Sequence, residues 1–334
     1  MKKRLIYIAG TANDPDIGRY IQQDISNMKD IFEYYEDRGR LLLRTDEMVD
    51  TELLLNRLQN ESGVYPWLFY FSGHSSLDQI QLADKPQKIE TFVKLFDDPE
   101  LLKHLHIVYL SSCESIDIGH QLNEVGVKVV IVTREKIPAF LANVASSIFF
   151  RQLMRVRNIE LAFELTKVSY QAQRSVVDYS QGNIREPEFP FEILSNQEET
   201  LRSPLPRINL RPEEEAVIKL HLLDSERNLR QGFIEHGRSH SLPINTKYLR
   251  ENTMESQKEL KRSLEIVEEE QTLVDLLDNL DRSSLGQLSE PGKGSKRKKI
   301  LIKEVKNPVA FKRSTTESIR RMITIDDEIL SSYK

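Results

Sequence analysis

Four continuous apolar runs constrain the fold of this chain most strongly. They read "RLIYIAG" from Arg4, "WLFYFSG" from Trp67, "HIVYLSS" from His106 and "KVVIVTR" from Lys128. Because each run is apolar throughout instead of alternating, it predicts a strand that is covered on both faces, as in a parallel sheet. The run "RLLLRTD" (Arg40 to Asp46) is a fifth candidate strand, and "PFEIL" near 190–194 predicts a last strand at the sheet edge.

Helical patterns lie between these runs. Ile17 to Tyr35 has apolar side chains at three- and four-residue spacing, which predicts one buried helix face. Asp50 or Thr51 can cap a short helix that runs through Leu58. Further helices are predicted over "IETFVKLFDD", over "IGHQLNEVG" and over residues 139–157 and 159–173. The alternation of strand and helix predicts an α/β domain with a mainly parallel sheet.

The composition changes near residue 195. Residues 1–195 contain 21 of the 25 aromatic residues and have a net charge of −6, whereas residues 196–334 contain the other 4 and have a net charge of +1. We therefore predict a folded domain over 1–195 and a charged C-terminal region over 196–334 that is mostly helical and partly disordered. Helices are predicted over 212–231 and 256–280, and a flexible, then basic, linker over 283–299.

Several classes of protein are disfavoured by composition. The single cysteine, Cys113, excludes an internal disulfide and a multi-cysteine metal site, and it indicates a reducing compartment. No apolar run approaches the roughly 18 residues of a membrane span, so we predict a cytoplasmic protein without a membrane partner. The net charge of −5 argues against direct nucleic-acid binding. The loop "AGTANDPDIG" lacks the glycine spacing of a dinucleotide site, and we predict neither a cofactor nor a metal.

Two predicted strands lead into residues that suit covalent catalysis. "WLFYFSGHSS" leads to His74 and "HIVYLSSCES" leads to Cys113, so both side chains belong to the same edge of the sheet if these strands are neighbours. A nearby histidine can take the proton of a thiol, which attacks as the thiolate. The backbone N–H groups of residues 75 and 113 can face a developing oxyanion. Taken singly, each residue also fits an ordinary structural role.

The combined pattern resembles the CHAT domain of the caspase-like (clan CD) cysteine peptidases. "FYFSGHSSLDQIQLAD" followed by "IVYLSSCES" carries the resemblance, and "IYIAGTANDPD", "EVGVKVVIVTREKIP" and "VASSIFFRQLMRVRNIELAFELTKVSYQ" extend it to about residues 3–195. The resemblance implies a caspase-like three-layer fold and cysteine endopeptidase activity. It does not cover the C-terminal region.

The resemblance assigns roles to individual residues. It implies that His74 is the general base, that Cys113 is the nucleophile, and that the N–H groups of Ser75 and Cys113 hold the oxyanion. Ser75 replaces the usual glycine, and a serine is strained there if the position needs a positive φ. Asp14 and Ser111 are the candidate substrate-binding residues, although "NDPD" is equally typical of a turn around Pro15. Ser111 is neutral where many Arg/Lys-cleaving relatives have an acid.

The implied function is that of a regulated bacterial effector that cleaves a partner protein, as in antiphage or cell-death systems. The C-terminal region would then bind a regulatory partner or inhibit the enzyme. The alternative is a catalytically impaired caspase-like scaffold that acts as a protein interaction module. A serine hydrolase is disfavoured because "SGHSS" is not a Gly-x-Ser-x-Gly elbow.

Overall fold

The computed structural model describes residues 4–37, 39–59, 64–174, 189–205 and 308–331, together with scattered positions between 250 and 265. Contacts divide the chain into two compact units, one of residues 1–172 and 188–207 and the other of 173–187 and 208–334. The predicted helix over 212–231 and the linker over 283–299 lie outside the described residues. The helix predicted over 256–280 is described only as far as residue 265, where the described positions are helical. The domain boundary at residue 195 stays a prediction.

A six-stranded sheet forms the centre of the first unit. Its strands are β1 (Arg4–Gly10), β2 (Leu41–Asp46), β3 (Pro66–Ser72), β6 (Ile107–Ser111), β7 (Val129–Thr133) and β8 (Phe191–Ser195), and a separate hairpin contains β4 (Gln79–Gln81) and β5 (Pro86–Lys88). The spatial order is β2-β1-β3-β6-β7-β8, and every pair is parallel except β7 with β8. The predicted α/β class, the mainly parallel sheet and the edge strand are thereby confirmed.

Eight helices of the first unit connect these strands among the described residues. They are α1 (Gly18–Asp37), α2 (Thr51–Leu58), α3 (Ile89–Lys94), α4 (Pro99–His104), α5 (Ile116–Glu124), α6 (Ala139–Val156), α7 (Ile159–Arg174) and α8 (Glu198–Arg202). Asp50 caps α2 as predicted, because its side chain accepts a hydrogen bond from the N–H of Leu53 at 2.7 Å. Most bounds differ from the predicted ones by one or two residues.

The hairpin and α4 were not predicted. Strands β4 and β5 are three residues each, which is too short for a periodic pattern, and β5 begins with a proline. Helix α4 is six residues long, and its start is defined by Asp98, which accepts from the N–H of Glu100, and by Pro99. Local capping chemistry of this kind defines α4, whereas hydrophobic periodicity does not.

One face of the sheet packs against α2, α3, α4 and α5. Alternate residues of the strands, such as Phe69 and Phe71 on β3, point to this side because side chains alternate across a sheet. They share a fully buried core with Leu54 of α2, Phe92 of α3 and Ile118 of α5. Ring contacts such as Phe69 to Phe96, with centroids 5.4 Å apart, fill the layer.

The opposite face packs against α1 and α6. The ring of Phe150 on α6 contacts Tyr70 of β3 at 5.6 Å, Tyr109 of β6 at 5.3 Å and Phe32 of α1 at 5.7 Å between centroids. Helices therefore cover both faces of the sheet, which is consistent with a three-layer arrangement. This explains why the strand sequences are continuously apolar.

The second unit is described mainly by α9 (Pro308–Ser331). Gln257, at one of the described helical positions, donates from Nε2 to Oδ1 of Asp327 on α9 at 2.6 Å. Among the described residues, no helix combines the length and the apolarity that are needed to cross a bilayer.

Truncation of Phe69 tests how much the core between β3 and the helices α2 to α5 stabilises the protein. We expect Phe69→Ala to lower the free energy of unfolding by about 3–5 kcal/mol, because it removes a fully buried ring and leaves a cavity. Leu161→Ala, at a side chain that is 48% exposed on α7, is the control and should change it by less than about 0.5 kcal/mol. Urea denaturation followed by the fluorescence of Trp67, the single tryptophan, measures both. Equal effects of the two variants would contradict the described core.

Candidate active site

Pairing between β3 and β6 brings His74 and Cys113 to the same edge of the sheet. The two strands are parallel neighbours, and Ser72 at the end of β3 lies opposite Ser111 at the end of β6. His74 and Cys113 each follow two residues later, at the carboxyl ends of these strands. The predicted adjacency of the two strands is confirmed.

The two side chains line one cavity of about 60 Å³. One wall is at the start of α1 and just before it, with Ile17, Tyr20 and Ile21. The other is at the start of α6 and in the loop before it, with Ile137, Ala139 and Ala142. The remaining lining is Ser72, Gly73, His74, Ser111, Ser112 and Cys113. The cavity therefore opens at the carboxyl edge of the sheet, where open parallel sheets form their sites.

His74 is held by Asp14. The imidazole is 44% exposed, and its Nε2 lies 3.3 Å from Oδ2 of Asp14. The other oxygen of Asp14 accepts the N–H groups of Asp16 and Ile17, each at 2.9 Å, which fixes the loop that leads into α1. Asp14 thus forms the predicted type of turn and, in addition, orients the histidine. Its predicted contact with a substrate stays a prediction.

Cys113 is half-buried, and its thiol lies 3.5 Å from the backbone carbonyl of Ile137. Within the described residues no hydrogen bond joins this thiol to His74. The carbonyl belongs to the loop between β7 and α6, whose Glu135 also accepts the N–H of Glu114 at 3.3 Å. In this state the nucleophile candidate contacts a loop carbonyl, with the histidine in the same cavity.

Ser75 occupies its position without the strain that a positive φ would impose. The described non-glycine residues with positive φ are Glu114, at 49°, and Arg157, at 56°, so the left-handed backbone falls immediately after the cysteine. The hydroxyl of Ser75 donates to the carbonyl of Cys113 and ties the two strand ends together. The serine therefore has a contact that glycine would lack.

The two predicted oxyanion donors are available. Neither the N–H of Ser75 nor that of Cys113 forms a hydrogen bond with any residue that the structure describes. Ser75 pairs with Ile80 across an isolated bridge in which the neighbouring residues, His74 and Ser76, form the hydrogen bonds. That geometry leaves the N–H of Ser75 unengaged at the carboxyl edge.

The glycine before His74 is required by close packing. A Cβ at Gly73 would lie 2.7 Å from Oγ1 of Thr11 and 2.8 Å from the ring of Phe71. Such distances are shorter than atoms tolerate, so a larger residue would push β3 away from the loop after β1. Gly73 therefore keeps His74 close to the loop that contains Asp14.

A hydroxyl network fixes the turn after β6. Oγ of Ser115 donates to the carbonyl of Ser112 at 3.2 Å and accepts the N–H of Thr133 at 3.0 Å. The hydroxyl of Thr133 also donates to the carbonyl of Ser112. These buried contacts attach the loop that contains Cys113 to the end of β7.

Sequence reasoning missed Asp24, a buried carboxylate beneath the cavity. Its Oδ2 accepts hydrogen bonds from the hydroxyls of Tyr70, of Ser72 at 2.7 Å and of Ser111 at 3.2 Å, and its Oδ1 lies 3.0 Å from Oγ of Ser146. The residue is 2% exposed. Its position between Ile21 and Met28 on the apolar stripe of α1 was the available signal, because an acid there needs buried partners.

Burial raises the pKa of Asp24, whereas the hydrogen bonds from Tyr70 and the three serines lower it, and the net direction is upward. Burial also raises the pKa of Tyr70, and the charge of Asp24 adds to that shift. Hydroxyl donors stabilise the carboxylate without supplying a countercharge. Among the described residues no cation adds to these dipoles, so the ionised form of Asp24 depends on hydroxyl donors alone.

No protein-family model matches the chain, and a search of curated proteins gives no significant match. The part of the chain that the structure describes holds no group of three His, Cys, Asp or Glu side chains placed to bind a metal. The geometry of the site is therefore the basis for the function proposed below.

The raised pKa of Asp24 predicts how stability depends on pH. A carboxyl whose pKa is higher in the folded state than its unfolded value of about 3.9 binds more protons when folded, so its contribution is favourable below that value and is lost as the pH rises. Relative to Asp24→Asn, the wild-type unfolding free energy should fall by up to about 1.4 kcal/mol per pH unit between the two pKa values.

Chemical denaturation from about pH 4 to about pH 8 measures this difference. Asp16→Asn, at an exposed acid in the loop before α1, controls for the loss of one charge. A wild-type advantage over Asp24→Asn that grows with pH would show that the carboxyl titrates in the opposite sense.

Proposed function

We propose that the protein is a cysteine endopeptidase of the caspase-like type, with Cys113 as the nucleophile and His74 as the base. The observation that carries the proposal is the convergence of both side chains on one cavity from the adjacent parallel strands β3 and β6. The two unengaged N–H groups beside them supply the third component of such a site. The α/β sheet covered by helices on both faces suits the caspase-like assignment.

The chemistry needs only these groups and water. His74 takes the thiol proton, and the thiolate of Cys113 forms a bond to the scissile carbonyl carbon, whose electron pair moves onto oxygen. The N–H groups of Ser75 and Cys113 donate to that oxyanion. When the carbonyl re-forms, the C–N bond breaks and the imidazolium protonates the amine. Water then hydrolyses the thioester and restores the thiol.

Asp14 supports this role for His74. Its carboxylate lies 3.3 Å from Nε2 and is itself fixed by two backbone N–H groups, so it limits the orientations of the ring. A negative group beside the ring also stabilises the imidazolium that forms during attack. The Nδ1 atom is then the one that is left to receive the thiol proton.

The thiol contact with Ile137 supports regulation. Transfer of the proton to His74 requires the thiol to leave the carbonyl of Ile137, because that carbonyl is not a base. Movement of the loop between β7 and α6 would release it. We propose that a partner which shifts this loop increases the fraction of the thiol that is free to pair with His74, as expected for an effector that cleaves a partner protein.

A non-catalytic scaffold is the second candidate function. It is favoured by the absence, among the described residues, of a hydrogen bond between His74 and Cys113. In such a scaffold the C-terminal region would act as the interaction module, and Cys113 would be a small buried residue. The two candidates differ in the reactivity of the thiol.

Alkylation of the single cysteine separates the two functions. The peptidase proposal predicts that iodoacetamide labels Cys113 rapidly below pH 7, and that His74→Ala slows this labelling by about tenfold or more because the base is lost. His120→Ala, at an exposed histidine on α5, is the matched control and should label like the wild type. Intact-mass spectrometry gives the rates without interference from another thiol.

The opposite result would support the scaffold. Slow labelling that rises only above about pH 8.5 and does not respond to His74→Ala is the behaviour of an ordinary thiol. In that case we expect Cys113→Ser to keep the scaffold function, because the thiol takes no part in it. Under the peptidase proposal the same substitution abolishes cleavage.

A further inference from the structure

The cavity beside Cys113 has apolar walls and a polar floor. Ile17, Tyr20 and Ile21 form one wall, and Ala139 and Ala142 form the other. Ser72 and Ser111 lie between them at the ends of β3 and β6. Such a cavity suits a long side chain whose stem is apolar and whose tip is polar.

The floor offers hydrogen-bond acceptors. Ser72 and Ser111 each donate their single hydroxyl hydrogen to Oδ2 of Asp24, at 2.7 and 3.2 Å. A hydroxyl that has donated its hydrogen retains only lone pairs for another partner. A ligand tip that reaches these two oxygens must therefore be a donor.

A buried carboxyl group lies directly behind this floor. Asp24 is one helical turn beyond Ile21, is 2% exposed, and has no cationic partner among the described residues. A buried carboxylate without a countercharge is costly, and a cation that enters the cavity would favour the ionised form of this acid. In addition, Ser112 lines the cavity, and its buried hydroxyl lacks a hydrogen-bond partner in the described part of the chain.

We propose that this cavity is the primary specificity pocket of the enzyme, that it accepts a lysine side chain, and that Asp24 is the specificity-determining residue. This inference rests on the proposed peptidase function. The lysine stem would lie between the walls, and its ammonium would donate to the hydroxyl oxygens of Ser72, Ser111 and Ser112 with Asp24 behind them. In this proposal the negative charge is that of Asp24 on α1, and the hydroxyl oxygen of Ser111 accepts a hydrogen bond from the lysine.

Lysine fits this floor better than arginine. A guanidinium is recognised by paired carboxylate oxygens in its own plane, and the oxygens of Asp24 already accept four hydroxyls. An ammonium is a compact point charge with three donors, which matches three separate hydroxyl oxygens.

A pair of active-site labels tests the assignment on the full-length chain. Two peptidyl acyloxymethyl ketones share one peptide and differ only in lysine or norleucine at the residue next to the ketone. The thiolate of Cys113 forms a C–S bond and displaces the carboxylate with its electron pair. We expect the lysine label to react at least about tenfold faster than the norleucine label, because only the ammonium engages the charged floor. An otherwise identical arginine label should be slower than the lysine label.

Variants locate the source of the preference. Asp24→Asn should bring the lysine-to-norleucine ratio close to one, whereas Asp16→Asn, which removes an exposed acid from the loop before α1, should leave the ratio unchanged. If Asp24→Asn does not fold, Ser111→Ala removes one floor acceptor while the carboxylate keeps its other donors, and it should reduce the ratio. The rate with iodoacetamide reports the thiol itself in every variant.

The outcomes separate this inference from the function on which it rests. Rapid iodoacetamide labelling with equal lysine and norleucine rates, or with no reaction of either peptide, would overturn the lysine pocket and leave the peptidase standing. Slow iodoacetamide labelling that ignores His74 would overturn both. A lysine preference that survives Asp24→Asn would retain the pocket but reject Asp24 as its determinant.

Discussion

The parallel register between β3 and β6 is the constraint on which the site depends. It sets Ser72 opposite Ser111, and the two residues that follow each serine carry the chain to His74 and to Cys113. A slip of one residue would turn these side chains to the other face of the sheet. Contacts beyond the strands then secure the register, with Ser75 bonded to the carbonyl of Cys113 and Gly73 packed against Thr11.

The helices on the two faces of the sheet separate the polar groups around the cavity from the apolar core. The face of the sheet toward α2, α3 and α5 has a large cluster of buried apolar side chains. The face toward α1 and α6 changes from aromatic rings to hydroxyl groups as it nears the carboxyl edge. Tyr70 marks the change, because its ring packs on Phe150 and its hydroxyl bonds Asp24. On this face of the sheet, polar contacts therefore begin at Tyr70, two residues before Ser72.

Sequence patterns predicted the parts of the structure that depend on burial alone. Continuous apolar runs identified the strands, and their order along the chain placed His74 and Cys113 at one edge, where the structure has them. Contacts between residues distant in sequence were not predictable in this way. Asp14 was a candidate for substrate binding or for a turn around Pro15, and nothing local showed that it meets a histidine 60 residues later. The contact of the Cys113 thiol with Ile137 and the hydroxyl donors to Asp24 are also contacts between residues distant in sequence, and they were not predicted.

The shared acceptor at Asp24 also bears on how this sequence can diverge. Four hydroxyls from β3, β6 and α6 converge on one carboxylate, so replacements among them are coupled and their effects do not add. While the acid is present, each lost hydroxyl leaves a buried charge less solvated. Once the acid is replaced by an apolar residue, the same hydroxyls become dispensable. The order of substitutions therefore decides their cost, and this epistasis favours lineages that either keep the whole cluster or discard Asp24 first.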